Sequence, residues 1–107
     1  MSKHKKAWIY CRVMNKEASE LLDYQYELLS HLIDEYDLLC IGVSSDVSDG
    51  FSFKTKRVQK MIEMIRCEEI DIVLAYSKNR LFVPNDLYEE FEMLCAMHHV
   101  EIITLKK

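Results

Sequence analysis

The 107 residues are one domain's worth of chain, half of them hydrophobic, with only two glycines and one proline. That composition excludes a disordered or fibrous protein and a two-domain architecture. The formal net charge of −4 excludes strong binding to duplex DNA by bulk charge alone, since such affinity comes from neutralising phosphates.

Strand-like and helix-like segments alternate along the chain. Ala7–Val13 (AWIYCRV) has the apolar run of a buried strand. Lys16–Tyr36 is predicted to be a helix, with Leu21, Gln25, Leu28, Leu29, Leu32 and Tyr36 along one side. Leu38–Ser44 (LLCIGVS) is a second apolar strand, and Ser45–Phe53 has the composition of a loop that turns at Gly50. Thr55 is placed to cap a helix over Lys56–Cys67, with Val58, Met61, Ile62 and Ile65 inward. Ile70–Tyr76 is a third strand and Ser77–Val83 a loop. Pro84 opens a helix to about His98, and Val100–Leu105 is the last strand.

Apolar strands separated by helices imply a three-layer α/β/α sandwich around a mainly parallel sheet, covered on both faces. No stretch approaches the roughly 20 apolar residues of a membrane span. The apolar run after the basic start Met1–Lys6 ends at Arg12, so no signal peptide is expected. Cys11, Cys40, Cys67 and Cys95 are widely spaced, without a C-x-x-C pair, and each lies in or beside an apolar run. They are expected to be reduced core residues of a cytoplasmic protein, the alternative being a disulfide or a metal site, and no cofactor is expected. Met61, Met64, Met93 and Met97 are expected to fill the core or an interface. His98 and His99 suit a helix end, where a cationic imidazole complements the dipole.

Ligands of open parallel sheets gather beyond the carboxyl ends of the strands. There the sequence places Arg12 after the first strand and Arg80 after the third. A guanidinium is a rigid fork of donors that matches phosphate oxygens; the plainer alternative is an ion pair with Asp46 or Asp71. Charge is also segregated. Residues 17–37 carry seven acids and no Lys or Arg, whereas Lys54, Lys56, Arg57 and Lys60 form a basic cluster without an acid. That cluster is the candidate DNA-facing patch, although a solvated helix face has the same composition.

Several stretches, in order, resemble one family. Ile9-Tyr10-Cys11-Arg12-Val13 is similar to the first strand of the serine recombinases (the resolvase/invertase family), which reads Y-x-R-V-S. Gln25 matches the family glutamine of the next helix, and Asp46-Val47-Ser48-Asp49-Gly50 resembles its D-x-x-x-S-G stretch. Ile70-Asp71-Ile72-Val73 resembles its I-D-x-V strand, Asn79-Arg80-Leu81 its D-R-L-S-R, and His99-Val100-Glu101-Ile102 its G-V-x-x strand. The resemblance spans nearly the whole chain and implies an N-terminal catalytic domain. In that family a serine after R-V attacks a DNA phosphodiester, arginines hold the phosphate oxygens, and no metal is needed.

The departures fall on the chemistry. The serine position is Met14, and a thioether has no proton to lose and forms no oxygen ester. The family aspartate is Asn79, which is neutral and cannot act as a base. The second arginine of D-R-L-S-R is Val83, and the arginine before the middle helix aligns with Thr55, with Lys54, Lys56 and Arg57 nearby. Arg12 and Arg80 keep the phosphate-binding positions. Family members continue into a dimerisation helix and a helix-turn-helix; residues 1–107 are expected to be the resolvase-like domain alone, with weak DNA affinity.

The resemblance therefore implies a site-specific recombinase domain that is catalytically impaired. It would serve as a regulatory or assembly partner in DNA recombination, as a homo-oligomer or a hetero-oligomer with a recombinase, away from membranes. Two alternatives stand beside it: an active recombinase with an unconventional nucleophile, from Cys11 or from Ser44, Ser45, Ser48 or Ser77, and a module that binds only protein.

Overall fold

The computed structural model describes residues 4–106, so the first three residues of the basic start lie outside the described residues. Four strands pair in parallel throughout: β1 (Lys6–Val13), β2 (Leu39–Val47), β3 (Ile72–Ala75) and β4 (Glu101–Thr104), in the order β2-β1-β3-β4. The helices are α1 (Glu20–Glu35), α2 (Lys56–Arg66), the short α3 (Lys78–Leu81) and α4 (Asn85–Met97). This is the expected α/β/α sandwich.

The alternation of side chains along β1 splits the core in two. Ala7, Ile9 and Cys11 meet Leu29 and Leu32 of α1, together with Ile72 and Leu74 of β3. Trp8 and Tyr10 face the opposite way, into a larger cluster with Val58, Met61, Ile62 and Ile65 of α2 and Phe91 and Cys95 of α4. Thus α1 covers one face and α2 and α4 the other. Gly42 of β2 lies beside Trp8, and a Cβ there would overlap the indole ring. A side chain at Gly42 would therefore push the tryptophan out of its place.

Four expectations need correction. The helix expected from Lys16 begins at Glu20, after a separate 3-10 turn over Lys16–Ala18 in which the Asn15 side chain accepts from the Ala18 N–H. Its inward face is Leu22, Gln25, Leu29, Leu32 and Ile33; Leu21 and Tyr36 are exposed. Second, β2 runs three residues beyond Ser44, through polar residues that resemble a loop. Ser45 and Asp46 remain in the strand because they pair with Cys11 and Arg12, and Asp46 finds hydroxyl partners for its carboxylate. Third, the loop expected over Ser77–Val83 contains α3, capped by the Ser77 hydroxyl accepting from the Arg80 N–H. Fourth, only Cys11 and Cys95 are core thiols. Cys40 is exposed on the edge strand at a slip in register, and Cys67 is exposed at the end of α2. Met61 is core and Met64 partly buried, while Met93 and Met97 are exposed.

Three helices end in a left-handed residue that is not glycine: Asp37 (φ 53°), Glu68 (φ 56°) and His99 (φ 60°). Each lies one past the helix cap, and the next N–H returns to a carbonyl in the last turn, as Val100 N does to Cys95 O at 2.8 Å. His99 stands where the family motif has glycine.

Candidate active site

The site forms where β1 ends. The Gln25 side chain, buried on α1, grips the Arg12 peptide at both ends: its Oε1 accepts from Arg12 N (3.1 Å) and its Nε2 donates to Arg12 O (2.9 Å). The pairing of β1 with β3 ends at Tyr10, and beyond it this amide side chain takes the place of the neighbouring strand. Arg80 adds a third contact, donating from Nη1 to the same Arg12 carbonyl at 3.3 Å. Arg12 and Arg80, 68 residues apart, therefore meet at the carboxyl edge of the sheet.

The Arg12 guanidinium is turned inward and only 2% of the residue is exposed. Its Nη1 donates to Ser48 O (2.8 Å) and its Nη2 to Asn79 O, while Nε is buried without a partner. Removal from water lowers its pKa from the usual arginine value, and the Arg80 charge acts in the same sense, while the Asp46 carboxylate opposes both. Neither of the acids named from the sequence pairs with Arg12 or Arg80. Asp71 instead accepts from Lys6 N (2.8 Å). Arg12 thus ties together the segment after β2 and the start of α3. Gly50 makes room for it: its φ is +77°, and a Cβ there would lie 2.8 Å from Arg12 Cζ.

Asp46 is the second centre of the site. Its Oδ2 accepts hydrogen bonds from Tyr10 Oη (2.9 Å), Ser48 Oγ (3.1 Å) and Thr55 Oγ1 (2.8 Å). Burial, and then the Asp46 charge, push the Tyr10 phenol far above its ordinary pKa, so Tyr10 is a fixed donor. Thr55 also accepts from Val58 N (3.1 Å) and so caps α2, as expected. At the position the family gives to an arginine, this chain therefore has a hydroxyl that bridges a carboxylate to a helix end. The sequence reading missed this network. Its trace was the pairing of Asp46 with a Ser48 and a Thr55 that both carry hydroxyls, on the face that β1 alternation gives to Tyr10.

Met14 lies just past β1 with 60% of its surface exposed, and Asn79 is exposed on α3, offering its backbone carbonyl to Arg12. Val83 is exposed too, and its N–H donates to Gly50 O (3.0 Å). The other nucleophile candidates are already engaged or remote. Cys11 is fully buried on the α1 face, and burial pushes its thiol up to about 12. Ser44 is buried between Trp8 Nε1 (2.9 Å) and Arg57 O (3.0 Å). Ser48 donates to Asp46, and Ser77 caps α3. Ser45 is exposed on β2, in register with Cys11.

Lys54, Lys56, Arg57 and Lys60 are all exposed around the first turns of α2. Lys60 approaches Glu63 at 3.7 Å with both side chains in solvent, a pair that contributes little. His98 closes α4 as expected, with Nδ1 3.2 Å from Glu68 Oε2.

No family model matches the chain, and no curated protein does. Solved structures do. The C-terminal catalytic domain of ISC1926 TnpA, an IS607-like serine recombinase, is 25% identical with a TM-score of 0.89 over 95% of this chain and 70% of that one. A serine recombinase from Sulfolobus solfataricus is 28% identical with a TM-score of 0.79, over 96% and 69% of the two chains. The N-terminal catalytic domain of TP901-1 integrase, 20% identical, shares the fold with a TM-score of 0.84 over 94% and 77%. The parallel sheet, its strand order and these similar structures show that the chain has the fold of a serine recombinase catalytic domain, and the ordered motifs from Tyr10 to Val100 lie along it.

Proposed function

We propose that this domain is a catalytically impaired member of the family, acting as a regulatory or assembly partner in DNA recombination rather than cutting DNA itself. The observation that carries this reading is the side chain at the end of β1: an exposed Met14 where the family chemistry needs a hydroxyl. Around it, Asn79 replaces the acid and Val83 and Thr55 replace arginines. Arg12 donates to two backbone carbonyls and is shut off from solvent, which leaves Arg80 as the guanidinium with access to a phosphate. A site built this way holds its shape but offers neither a nucleophile nor a charge cradle for the transition state.

DNA enters this reading as a weakly held partner, through Lys54, Lys56, Arg57 and Lys60. Four phosphate contacts correspond to a log–log salt slope of roughly −3 to −4, from about −0.9 per phosphate, with affinity of about 10⁻⁴ M or weaker at physiological salt. The test is a salt titration by fluorescence anisotropy, with wild type and a Lys56→Ala/Arg57→Ala/Lys60→Ala variant. Loss of most salt-dependent binding in the variant supports the reading. Unchanged binding moves the DNA surface elsewhere, and no binding by the wild type at low salt favours a module that meets only protein. The assembly role is read by adding the domain to a reaction run by an intact serine recombinase: a changed recombination yield supports it, and no change removes it.

A further inference from the structure

We propose that the pocket between α1 and the segment joining β3 to α3 binds a singly charged carboxylate carried on one small apolar group, with Arg80 and Gln25 at its charged end and Leu21, Tyr24 and Tyr76 around its apolar end. The inference goes beyond the proposed function by giving the domain a ligand, and it stands whether or not the domain meets DNA.

The pocket is lined by Leu21, Tyr24, Gln25, Tyr76 and Arg80 and has a volume of about 110 Å³. Its polar end has donors to spare. Gln25 Nε2 and Arg80 Nη1 converge on one oxygen, the Arg12 carbonyl, at 2.9 and 3.3 Å. An amide nitrogen and a guanidinium each carry more than one N–H, so both side chains keep donors after that bond. Among the described residues Arg80 Nε and Nη2 have no hydrogen-bond partner, the guanidinium has no ion pair, and neither nitrogen is sealed from solvent. Gln25 is 3% exposed and locked by its two bonds to the Arg12 peptide, so it is a fixed, buried wall of the pocket. Donors in surplus call for a ligand that brings oxygens, and the planar guanidinium fork matches a carboxylate with two parallel bonds.

The apolar end decides against a phosphate. Leu21, Tyr24 and Gln25 fall at i, i+3 and i+4 on α1 and so share one side of the helix. Leu21 and Tyr24 lie off the core, 44% and 53% exposed, and Tyr76 lines the pocket from just past β3. Apolar walls with a few converging polar groups suit an organic ligand. A phosphate ion has no apolar part for those side chains to cover. A closed cavity of roughly 150 Å³ holds a benzene ring, so this open one takes most of a ring or a branched aliphatic group and excludes a nucleoside. Charge sets the same limit. Arg80 is the one cation among the lining residues, and exposed Glu20 and Glu27 neighbour Tyr24 on the surface of α1, where they oppose a second negative charge on the ligand. A free small acid and a polypeptide end with an apolar last side chain share this chemistry.

The experiment is a titration of the ¹⁵N-labelled full chain with sodium benzoate, followed by ¹H–¹⁵N NMR at the Gln25 side-chain amide and the Arg80 Nε–H. Saturable shifts at both are expected. Benzamide, which lacks the charge, and inorganic phosphate, which lacks the apolar group, should each bind at least about tenfold more weakly. Arg80→Met should weaken benzoate at least about tenfold. Leu21→Glu, at an exposed position and shown to be folded by circular dichroism, should weaken it severalfold. No saturable shift overturns the proposal, as does benzamide or phosphate binding as tightly as benzoate, or a folded variant that binds benzoate like the wild type. The tripeptide Gly-Gly-Phe, with a free or an amidated end, identifies the source. Tighter binding than benzoate by the free-ended peptide alone supports the site and assigns it to a chain end; benzoate as the tighter ligand supports it and assigns it to a free acid. DNA is absent from these measurements, so their failure is separate from failure of the functional reading.

Discussion

Replacing Gly50 with alanine probes whether the end of the sheet is organised around a buried Arg12. Two costs follow from the geometry. At φ +77° the new Cβ meets the usual left-handed penalty, about 1–2 kcal/mol. It also lies 2.8 Å from Arg12 Cζ, so the guanidinium must move off Ser48 O or Asn79 O. One hydrogen bond from a charged donor contributes roughly 1.5–3 kcal/mol. The stiffer unfolded chain of alanine offsets about 0.4–1 kcal/mol. The net loss is about 1.5–4.5 kcal/mol, or ~6–35 °C in Tm at roughly 4–8 °C per kcal/mol for a domain of this size. Urea unfolding followed by circular dichroism measures it, with the slope m unchanged. The sharper readout is coupling. In an Arg12→Met background the clash and the lost bond no longer apply, so Gly50→Ala should cost only about 1 kcal/mol, and the two substitutions should be non-additive. A Gly50→Ala loss under about 0.5 kcal/mol, or a full loss in the Arg12→Met background, refutes the reasoning.

Three further predictions concern the helix ends and the buried thiols. His99→Gly relieves a left-handed histidine at the end of α4 and should stabilise the domain by about 0.5–1 kcal/mol, read as a higher urea midpoint; a lower midpoint contradicts the strain. Cys40 and Cys67 should react with a thiol reagent at pH 8 in the native protein while Cys11 and Cys95 wait for unfolding; four equally fast thiols would contradict the burial. Burial raises the Cys11 and Cys95 thiols from 9.0 to about 12, and a raised folded pKa gives stability that is complete below the unfolded value. That contribution should therefore fall as pH rises from about 9 toward 12, and a stability rising over that window contradicts it.

The strands were legible because parallel strands buried on both faces must be apolar, as Ala7–Val13 and Ile72–Ala75 are. The sequence located the strand-end arginines by topology and the family resemblance by ordered motifs. It did not show what Arg12 touches, because backbone carbonyls carry no sequence signal. The plain alternative of an Arg–Asp ion pair failed for the same reason: Asp46 is satisfied by three hydroxyls spread from Tyr10 to Thr55. Polar residues misled at Ser45–Val47, where strand pairing outweighs composition, and at Ser77–Leu81, where one serine caps a turn of helix. Cys40 and Cys67 look like core residues from their neighbours, but the first lies on an edge strand and the second past a helix end. Edge and end positions come from strand order and packing rather than local pattern.

The central claim is that the end of β1 carries no nucleophile. The direct measurement is incubation of the protein, fused to a recombinase DNA-binding domain, with a supercoiled plasmid bearing that domain's site, followed by denaturing gels and mass spectrometry for a covalent protein–DNA adduct. The account predicts neither nicks nor adduct above background, since Met14 cannot form a phosphoester and Cys11 is buried beneath α1. An adduct on any residue of the chain, or nicking that requires the folded domain, would contradict it.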